Sequence, residues 1–325
     1  MIFLNEAEMW SSVSLTDIMD SIRRAYEIRK SGAFHMPERY IARRDDNMML
    51  YMPCFTNSII GTKMLAEFPG NPGKGYPYLS GLMILNDAAH GQPLAIMNGG
   101  TLTAMRTGAV GGVGIQYLAP EGADSIGLAG CGVQGLHQLL YACEVRPIRH
   151  IYLYDAYKKD FGPFMETLQI RLKKQDIQIS ICQSSRELAE KGSILISTTQ
   201  ATDPIYPDDD RLLRGKTFIA IGSWRPERRE LPDAVSRLAQ NIYIDLPYAC
   251  EESGDLKIPL DSGVLSQSKI RLMEDLIADT SQGKPHSLGE TRCFKSVGMG
   301  LFDVCAADAI YRSALAKEIG QQVNI

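Results

Sequence analysis

The segment from residue 125 to residue 155, SIGLAGCGVQGLHQLLYACEVRPIRHIYLYD, constrains the fold more than any other part of this sequence. It begins with a short apolar run that predicts a buried parallel strand. Gly130, Gly132 and Gly135 follow in G-x-G-x-x-G spacing, and apolar residues then recur at helical intervals until Pro147 ends the helix. A second apolar run ends at Asp155. A strand, a glycine turn, a helix and a second strand in this order predict a dinucleotide-binding βαβ unit.

Each part of this unit has a physical role. Gly130 permits the tight turn, Gly132 lets the backbone approach a pyrophosphate, and Gly135 allows the helix to pack closely on the strand. The first helical residues, Val133 and Gln134, present free N–H groups and a partial positive charge to the phosphates.

Asp155 predicts which dinucleotide binds. It lies twenty residues after Gly135, where a carboxylate accepts hydrogen bonds from the ribose hydroxyls. A carboxylate there repels a 2′-phosphate and therefore favours NAD over NADP. Lys158 and Lys159 follow closely and weaken this preference, so NADP stays possible.

Composition and charge narrow the class of protein. The chain has 325 residues, enough for two domains, and its 45% hydrophobic and 22% charged residues are ordinary for a globular protein. A net charge of −4 without a basic stripe argues against nucleic acid, and no apolar run is long enough to span a bilayer. The N-terminus, MIFLNEAEMW, lacks the features of a signal peptide. Seven scattered cysteines predict reduced thiols in the cytoplasm, and five dispersed histidines predict no metal site.

The rest of the chain divides at the glycine-turn unit. Ser14 and Asp17 form a capping-box pattern at the start of an amphipathic helix that closes at Gly32, and a meander of strands follows to about residue 98. After Asp155, helical patterns and strands alternate until at least six strands are predicted, which indicates a doubly wound parallel sheet. The C-terminal segment GMGLFDVCAADAIYRSALAKEI predicts one long helix.

Several motifs outside the glycine turn match one family. They are, in chain order, GTKMLAEFPGNP with Lys63, LTAMRTGAV with Arg106, the GCGVQG turn, IGSWRPERREL and FKSVGMGLFDVCAADA. Over nearly its whole length the chain resembles the ornithine cyclodeaminase/mu-crystallin family, which includes an archaeal alanine dehydrogenase and ketimine reductases.

The resemblance implies a division of labour between two domains. Residues 1–118 and 299–325 are expected to form an α+β domain for substrate binding and dimerisation. Residues 119–298 are expected to form an NAD(P)-binding Rossmann domain. The resemblance also implies a homodimer that assembles through the sheet of the substrate domain.

The resemblance also assigns site residues. Arg39, Lys63 and Arg106 match the positions that hold the α-carboxylate of the substrate. The positions expected at or near the cofactor, besides the glycine turn and Asp155, are Thr107 at a phosphate, Thr198 and Thr199 at the end of a strand, and Ser296, Val297 and Gly298 near the nicotinamide.

The chemistry of these side chains agrees with such roles. Arginine presents a planar fork that matches a carboxylate. Lysine is a point charge, and Lys63 is also a possible proton donor to an imine. From spacing alone, Lys63 would be a solvated surface residue and Arg39 is hard to distinguish from Arg43 and Arg44. Asp303 is either a functional group or only a helix cap or ion-pair partner.

The sequence therefore predicts an NAD(P)-dependent oxidoreductase that acts on the C–N bond of an α-amino or cyclic imino acid, of the ketimine reductase or amino-acid dehydrogenase type. Two alternatives stay open: an ornithine cyclodeaminase that uses bound NAD, and a non-catalytic protein that binds NAD(P) and a small ligand. Trp224 argues against the first, because it stands where cyclodeaminases of the family carry a catalytic aspartate. Glu227 and Glu230 are nearby carboxylates that would have to replace that group.

Overall fold

The computed structural model describes residues 1–172, 176–279 and 289–324. The chain forms two compact units, the first comprising Met1–Arg106 with Gly298–Ile325 and the second Thr107–Val297. The boundary expected after residue 118 coincides with the end of helix α3 (Gly99–Leu118), whereas the observed division lies inside this helix. The packing of the helix glycines explains the difference: Gly99 lies against the backbone of Gly81 and Leu82, whereas Gly108 lies against Tyr141.

The first unit contains a mixed sheet of eight strands. Their order is β16-β1-β7-β6-β5-β4-β2, with β3 paired to β4. The bounds are β1 Ile2–Leu4, β2 Phe34–His35, β3 Tyr40–Arg44, β4 Asn47–Thr56, β5 Ile59–Glu67, β6 Leu79–Asp87, β7 Pro93–Asn98 and β16 Gln321–Gln322. The antiparallel run from β3 to β7 is the predicted meander. Strand β1, which pairs in parallel with β7, was not predicted.

In the described residues, the α-helices that lie entirely within the first unit are α1 (Glu6–Ser12), α2 (Leu15–Ser31) and α12 (Gly300–Ala316). The predicted capping box of α2 is present, since Ser14 and Asp17 exchange hydrogen bonds and Gly32 ends the helix in the left-handed conformation. Helix α1 was not predicted. Helix α12 packs on α2 and on β5, with an edge-on contact between the rings of Tyr26 and Phe302 at 5.1 Å.

The described residues of the second unit form a sheet of eight parallel strands in the order β10-β9-β8-β11-β12-β15-β13-β14. Their bounds are β8 Ser125–Ala129, β9 His150–Tyr154, β10 Gln178–Ile181, β11 Ile194–Ser197, β12 Thr217–Ala220, β13 Ile242–Ile244, β14 Ile270–Leu272 and β15 Arg292–Lys295. The six predicted strands are present, and β14 and β15 complete the sheet. Chain order reverses on either side of β8, which makes its carboxyl end the switch point where ligands bind in such sheets.

Helices separate the strands of the second unit. They are α4 Val133–Val145, α5 Gly162–Leu172, α6 Ser185–Lys191, α7 Asp210–Leu213, α8 Asp233–Leu238, α9 Ala249–Glu252, α10 Gly254–Asp261 and α11 Met273–Asp279. The predicted extension of α5 through residues 173 and 174 lies outside the described residues. In the described part of the chain, no helix is both long enough and apolar enough to cross a membrane.

Candidate active site

Lys63 occupies a position where the strand pattern calls for an apolar residue. Strand β5 buries every second side chain, and Lys63 is on the buried face with no exposed surface. Its cross-strand neighbours, Met52 and Met83, are also buried. A charged ammonium in such surroundings requires a partner, because its burial is otherwise very unfavourable.

Asp303 on α12 is that partner. Lys63 Nζ donates a hydrogen bond of 2.8 Å to Asp303 Oδ1, and the aspartate is fully buried. Arg106 Nε lies 2.9 Å from the same oxygen, but its N–H is not aligned for a hydrogen bond. The helix begins after Met299 without a side-chain cap, so Asp303 is an ion-pair partner and not a helix cap.

Arg39 joins this group through the backbone. Its Nη2 atom donates to the carbonyl of Gly298 at 3.0 Å, whereas Arg43 and Arg44 are exposed on β3. Gly298 has a φ of +74°, and a Cβ there would lie 2.5 Å from Arg106 Nη1. Glycine at 298 therefore makes room for the Arg106 guanidinium. We call Arg39, Lys63, Arg106 and Asp303 the cation cluster.

The cation cluster changes the acidity of Lys63. Burial and, to a smaller extent, the Arg106 guanidinium lower the pKa of Lys63, the Asp303 carboxylate opposes them, and the resulting pKa is about 7. At neutral pH Lys63 therefore exists in both protonation states, as a proton donor requires.

The glycine turn of the second unit has the geometry of a pyrophosphate cradle. Gly130 has a φ of +92°, and a Cβ at Gly135 would lie 2.3 Å from the Gly130 carbonyl oxygen. Space is open on the side of Gly132 where a Cβ would stand, and no side chain caps the start of α4. The residues present thus fit a bound dinucleotide: the first turn of α4 presents backbone N–H groups, and the turn excludes side chains.

Asp155 is partly exposed at the end of β9, and its carboxylate takes part in local structure. Oδ2 accepts a hydrogen bond from the N–H of Cys131 at 2.9 Å, which ties β9 to the glycine turn. Oδ1 accepts from the N–H groups of Tyr157 and Lys158 at 3.0 and 3.1 Å. An ionised carboxylate has about four acceptor positions, so three backbone bonds leave capacity for a ribose hydroxyl.

Of the other predicted cofactor residues, Thr107 lies in α3 and Gly298 belongs to the first unit, and the rest lie along one edge of the parallel sheet. Parallel strands place their carboxyl ends together, and the strand order fixes the sequence along this edge. It runs from Asp155 after β9, through the glycine turn after β8 and Thr198–Thr199 after β11, to Ser296–Val297 after β15. Three strand spacings separate β8 from β15, roughly 14 Å, which suits a dinucleotide with its pyrophosphate at the turn.

Asp245 and Gln138, which the sequence analysis did not identify, are buried and form hydrogen bonds that fix backbone segments near this edge. Asp245 accepts hydrogen bonds from Ser296 Oγ at 2.6 Å and from the Val297 N–H at 3.1 Å, which fixes the segment after β15. Gln138 Nε2 donates to the carbonyl of Thr107 at 2.8 Å, which ties α3 to α4. Both residues lie in otherwise apolar sequence segments, and neither segment indicates which backbone groups the side chain binds.

The loop after β12 contains Trp224, which the resemblance places at the position of the cyclodeaminase aspartate. Trp224 is partly buried there, and the Arg225 guanidinium lies over its ring at 4.6 Å. Glu230 is fully buried and accepts backbone hydrogen bonds on both oxygens, whereas Glu227 is exposed. Both carboxylate oxygens of Glu230 are thus engaged in hydrogen bonds within the fold.

Comparisons with known proteins agree with this geometry. A model of the ornithine cyclodeaminase/mu-crystallin family matches residues 1–318. An alanine dehydrogenase of Archaeoglobus fulgidus is 28% identical over 324 residues, which are 99% of this chain and 98% of the relative. The structure of a Delta(1)-pyrroline-2-carboxylate reductase of Thermococcus litoralis with NADH and L-proline superposes with a TM-score of 0.90 at 31% identity, covering 99% of this chain and 100% of that one. An archaeal alanine dehydrogenase dimer with bound NAD gives a TM-score of 0.88 at 27% identity, covering 100% and 99%.

Proposed function

Because this chain belongs to the ornithine cyclodeaminase/mu-crystallin family, we propose that it is an NAD-dependent oxidoreductase acting on the C–N bond of an α-amino or cyclic imino acid. The observation that carries the proposal is the cation cluster. It combines a surplus of positive charge, suited to a carboxylate, with a lysine that titrates near neutrality. The named activities of the similar alanine dehydrogenase and pyrroline-2-carboxylate reductase belong to the same reaction class.

The cation cluster supplies binding and a proton. Arg106 and Arg39 bind the carboxylate of the imino acid, and the planar guanidinium fork orients it. Lys63 Nζ holds the proton that passes to the imine nitrogen, and Asp303 fixes the position of Nζ by its hydrogen bond. When bound, NADH supplies the hydride that reaches the α-carbon, so carbon and nitrogen together gain one hydride and one proton.

The edge of the parallel sheet is the proposed cofactor site. Gly130, Gly132 and Gly135, with the N–H groups of Val133 and Gln134, bind the pyrophosphate. Asp155 binds the ribose and favours NAD over NADP. The remaining proposed contacts to the cofactor are Thr107, Thr198, Thr199, Ser296, Val297 and Gly298.

We also propose a homodimer that forms through the sheet of the first unit. The face of this sheet that carries alternate residues of β4, β5 and β6 presents a continuous apolar surface, because cross-strand pairs such as Tyr51 with Met64 and Met64 with Leu82 share it. Phe55 and Leu82 on this face are 44% and 38% exposed. An archaeal alanine dehydrogenase that superposes on this chain is a dimer. Seven free cysteines agree with a cytoplasmic location.

The test is to follow NADH and NADPH absorbance with three substrates: pyrroline-2-carboxylate, piperideine-2-carboxylate, and pyruvate with ammonia. We expect NADH oxidation with at least one of them. Formation of proline and ammonia from L-ornithine with catalytic NAD would identify a cyclodeaminase instead. Binding of NADH without turnover of any of these substrates would support a non-catalytic binding protein.

A further inference from the structure

A second buried group of charged side chains lies in the parallel-sheet unit, and we call Glu230, Asp255 and Lys295 the carboxylate cluster. Their exposures are 0%, 2% and 0%. Lys295 Nζ lies 3.0 Å from Asp255 Oδ2. None of the three has a part in the proposed binding of substrate or cofactor. Two buried carboxylates with one ammonium need further hydrogen-bond donors to remain stable.

The donors for Glu230 come from two separate loops. Its Oε1 atom accepts from the N–H of Thr199 at 2.6 Å and from the Thr199 hydroxyl at 2.8 Å. Its Oε2 atom accepts from the N–H groups of Gly222 and Ser223 at 2.8 and 3.3 Å. A single carboxylate therefore uses about all four of its acceptor positions to join the loops.

These loops follow the neighbouring strands β11 and β12 at the carboxyl edge of the sheet. The approach is so close that a Cβ at Gly222 would lie 2.2 Å from the Thr199 carbonyl oxygen and 2.5 Å from Glu230 Oε1. The adjacent Thr198 Oγ1 donates to the carbonyl of Gly130 at 2.8 Å. Glu230 thus holds the segment after β11 to the loop after β12, and Thr198 in the same segment contacts the glycine turn by its own hydrogen bond.

Asp255 and Lys295 hold Glu230 in place. Asp255 Oδ1 accepts from the N–H groups of Glu230 and Leu231 at 2.6 and 2.8 Å. Lys295 is the last residue of β15 and directly precedes Ser296. The carboxylate cluster therefore connects the segments after β11, β12 and β15, which lie on the part of the edge beyond the glycine turn.

We infer that Glu230 is a positioning residue whose carboxylate holds the loops after β11 and β12 in the arrangement that receives the nicotinamide half of the cofactor. The inference rests on the proposed function, since it takes NADH as the ligand of this edge. The adenosine half is bound on the other side of the glycine turn, toward Asp155. Loss of the Glu230 carboxylate should therefore weaken the binding of whole NADH and leave the binding of AMP nearly unchanged.

The experiment compares wild type with Glu230→Gln, whose side chain has the same shape but offers an N–H₂ group to donors on one of the two loops. Calorimetry gives the Kd of NADH and of AMP, and steady-state kinetics give KM for NADH and for the imino acid. We expect the Kd and KM of NADH to rise about tenfold or more. The Kd of AMP and the KM of the imino acid should stay within about twofold of wild type. The matched control is Glu187→Gln, which changes a glutamate hydrogen-bonded to Gln183 and Lys191 away from this edge and should alter none of these values.

Glu230→Asp keeps the charge but is one methylene too short to reach both loops. It provides the same comparison if Glu230→Gln does not fold, as judged by circular dichroism. Equal NADH affinity in wild type and in a folded variant would overturn the positioning role while leaving the proposed function intact. Parallel loss of AMP and NADH binding would also overturn it, because the role would then be general to the fold. A wild-type protein that binds no NADH would overturn the proposed function and this inference together.

Discussion

The cation cluster of the first unit and the carboxylate cluster of the second unit bury charge in opposite ways. In the cation cluster two basic side chains, Lys63 and Arg106, share one carboxylate, Asp303. In the carboxylate cluster two acids surround one ammonium, Lys295, and backbone N–H groups supply the missing positive partial charge. Among the described residues, no second carboxylate is paired with Lys63 or Arg106. The surplus in the first unit is available to the substrate carboxylate that we propose, whereas the acids of the second unit accept hydrogen bonds within the fold.

This difference separates a proposed ligand site from a scaffold, although both contain fully buried ionisable groups. Burial and a shifted pKa occur in both clusters, because burial also raises the pKa of Glu230. The two clusters differ in whether the protein itself supplies enough hydrogen-bond or ion-pair partners for each charged group. The predictions below test this distinction, from the largest expected effect to the smallest.

Asp303→Asn should destabilise the protein most. It leaves Lys63 and Arg106 buried without a counter-charge, and breaking a buried pair in this way costs about 3–5 kcal/mol in the free energy of unfolding. Chemical denaturation measures the loss. The control is Asp308→Asn on the same helix, which removes the ion pair with the largely exposed Arg312 and should cost at most about 1 kcal/mol. Equal losses in the two variants would show that Asp303 carries no special electrostatic role.

Arg106→Ala should act on the substrate and spare the cofactor. We expect a loss of about 2–5 kcal/mol in kcat/KM for the imino acid, the range for removing one side of a buried charge contact. The Kd of NADH, measured by calorimetry, should change little. Arg43→Ala on exposed β3 is the matched control and should leave both values near wild type. If Arg106→Ala lost cofactor and substrate binding equally, Arg106 would instead be structural or a phosphate ligand.

Asp155→Ser tests a carboxylate that combines features of a structural group and of a ligand-binding group. Asp155 accepts backbone hydrogen bonds, as a structural carboxylate does, but it is still partly exposed. If its remaining acceptor capacity serves the ribose diol, the preference for NAD over NADP should fall at least about tenfold, since one charge-assisted hydrogen bond is worth about 1.5–3 kcal/mol. Ratios of kcat/KM for NADH and NADPH measure the preference. A wild-type enzyme that strongly prefers NADPH would refute this role of Asp155.

The sequence predicted the strands and turns that have a local signal. The glycine turn, the capping box of α2 and the alternating strands all follow from residue type and spacing. Strands β1 and β14 have three residues each, too few to show a period, whereas the equally short β13 lies in the longer alternating segment NIYIDL. Strand β15 lies within a motif that was recognised by resemblance, but its four residues include two cationic side chains, which hide the buried pattern.

The candidate site was predictable only in part for a different reason. From spacing alone Lys63 looks solvated, and the resemblance gave it a role without showing its buried position on β5 or its ion pair with Asp303 on α12. That pair spans 240 residues, so no local pattern reports it. The sequence indicated Glu230 only as a carboxylate that could replace the aspartate of cyclodeaminases. Its contacts to Thr199 and Gly222 depend on which strands are neighbours, and strand order is not a local property of a sequence.

The smallest expected effect concerns the pH dependence of Lys63, which distinguishes a proton donor from a fixed charge. Burial and Arg106 lower the pKa of Lys63 to about 7 in the free enzyme. Reduction of the imine requires protonated Lys63, so kcat/KM should fall by about threefold as pH rises through the one unit centred on that pKa, and by about tenfold per unit well above it. Oxidation of the amino acid requires the neutral amine of Lys63, and its kcat/KM should rise as pH passes through the same pKa.

Lys63→Arg keeps a positive charge that does not titrate in this range. With the same imino acid, its kcat/KM should therefore show no fall near pH 7. A step that persists in this variant would belong to the substrate or to another group, and a flat wild-type profile near neutrality would make Lys63 a carboxylate ligand only.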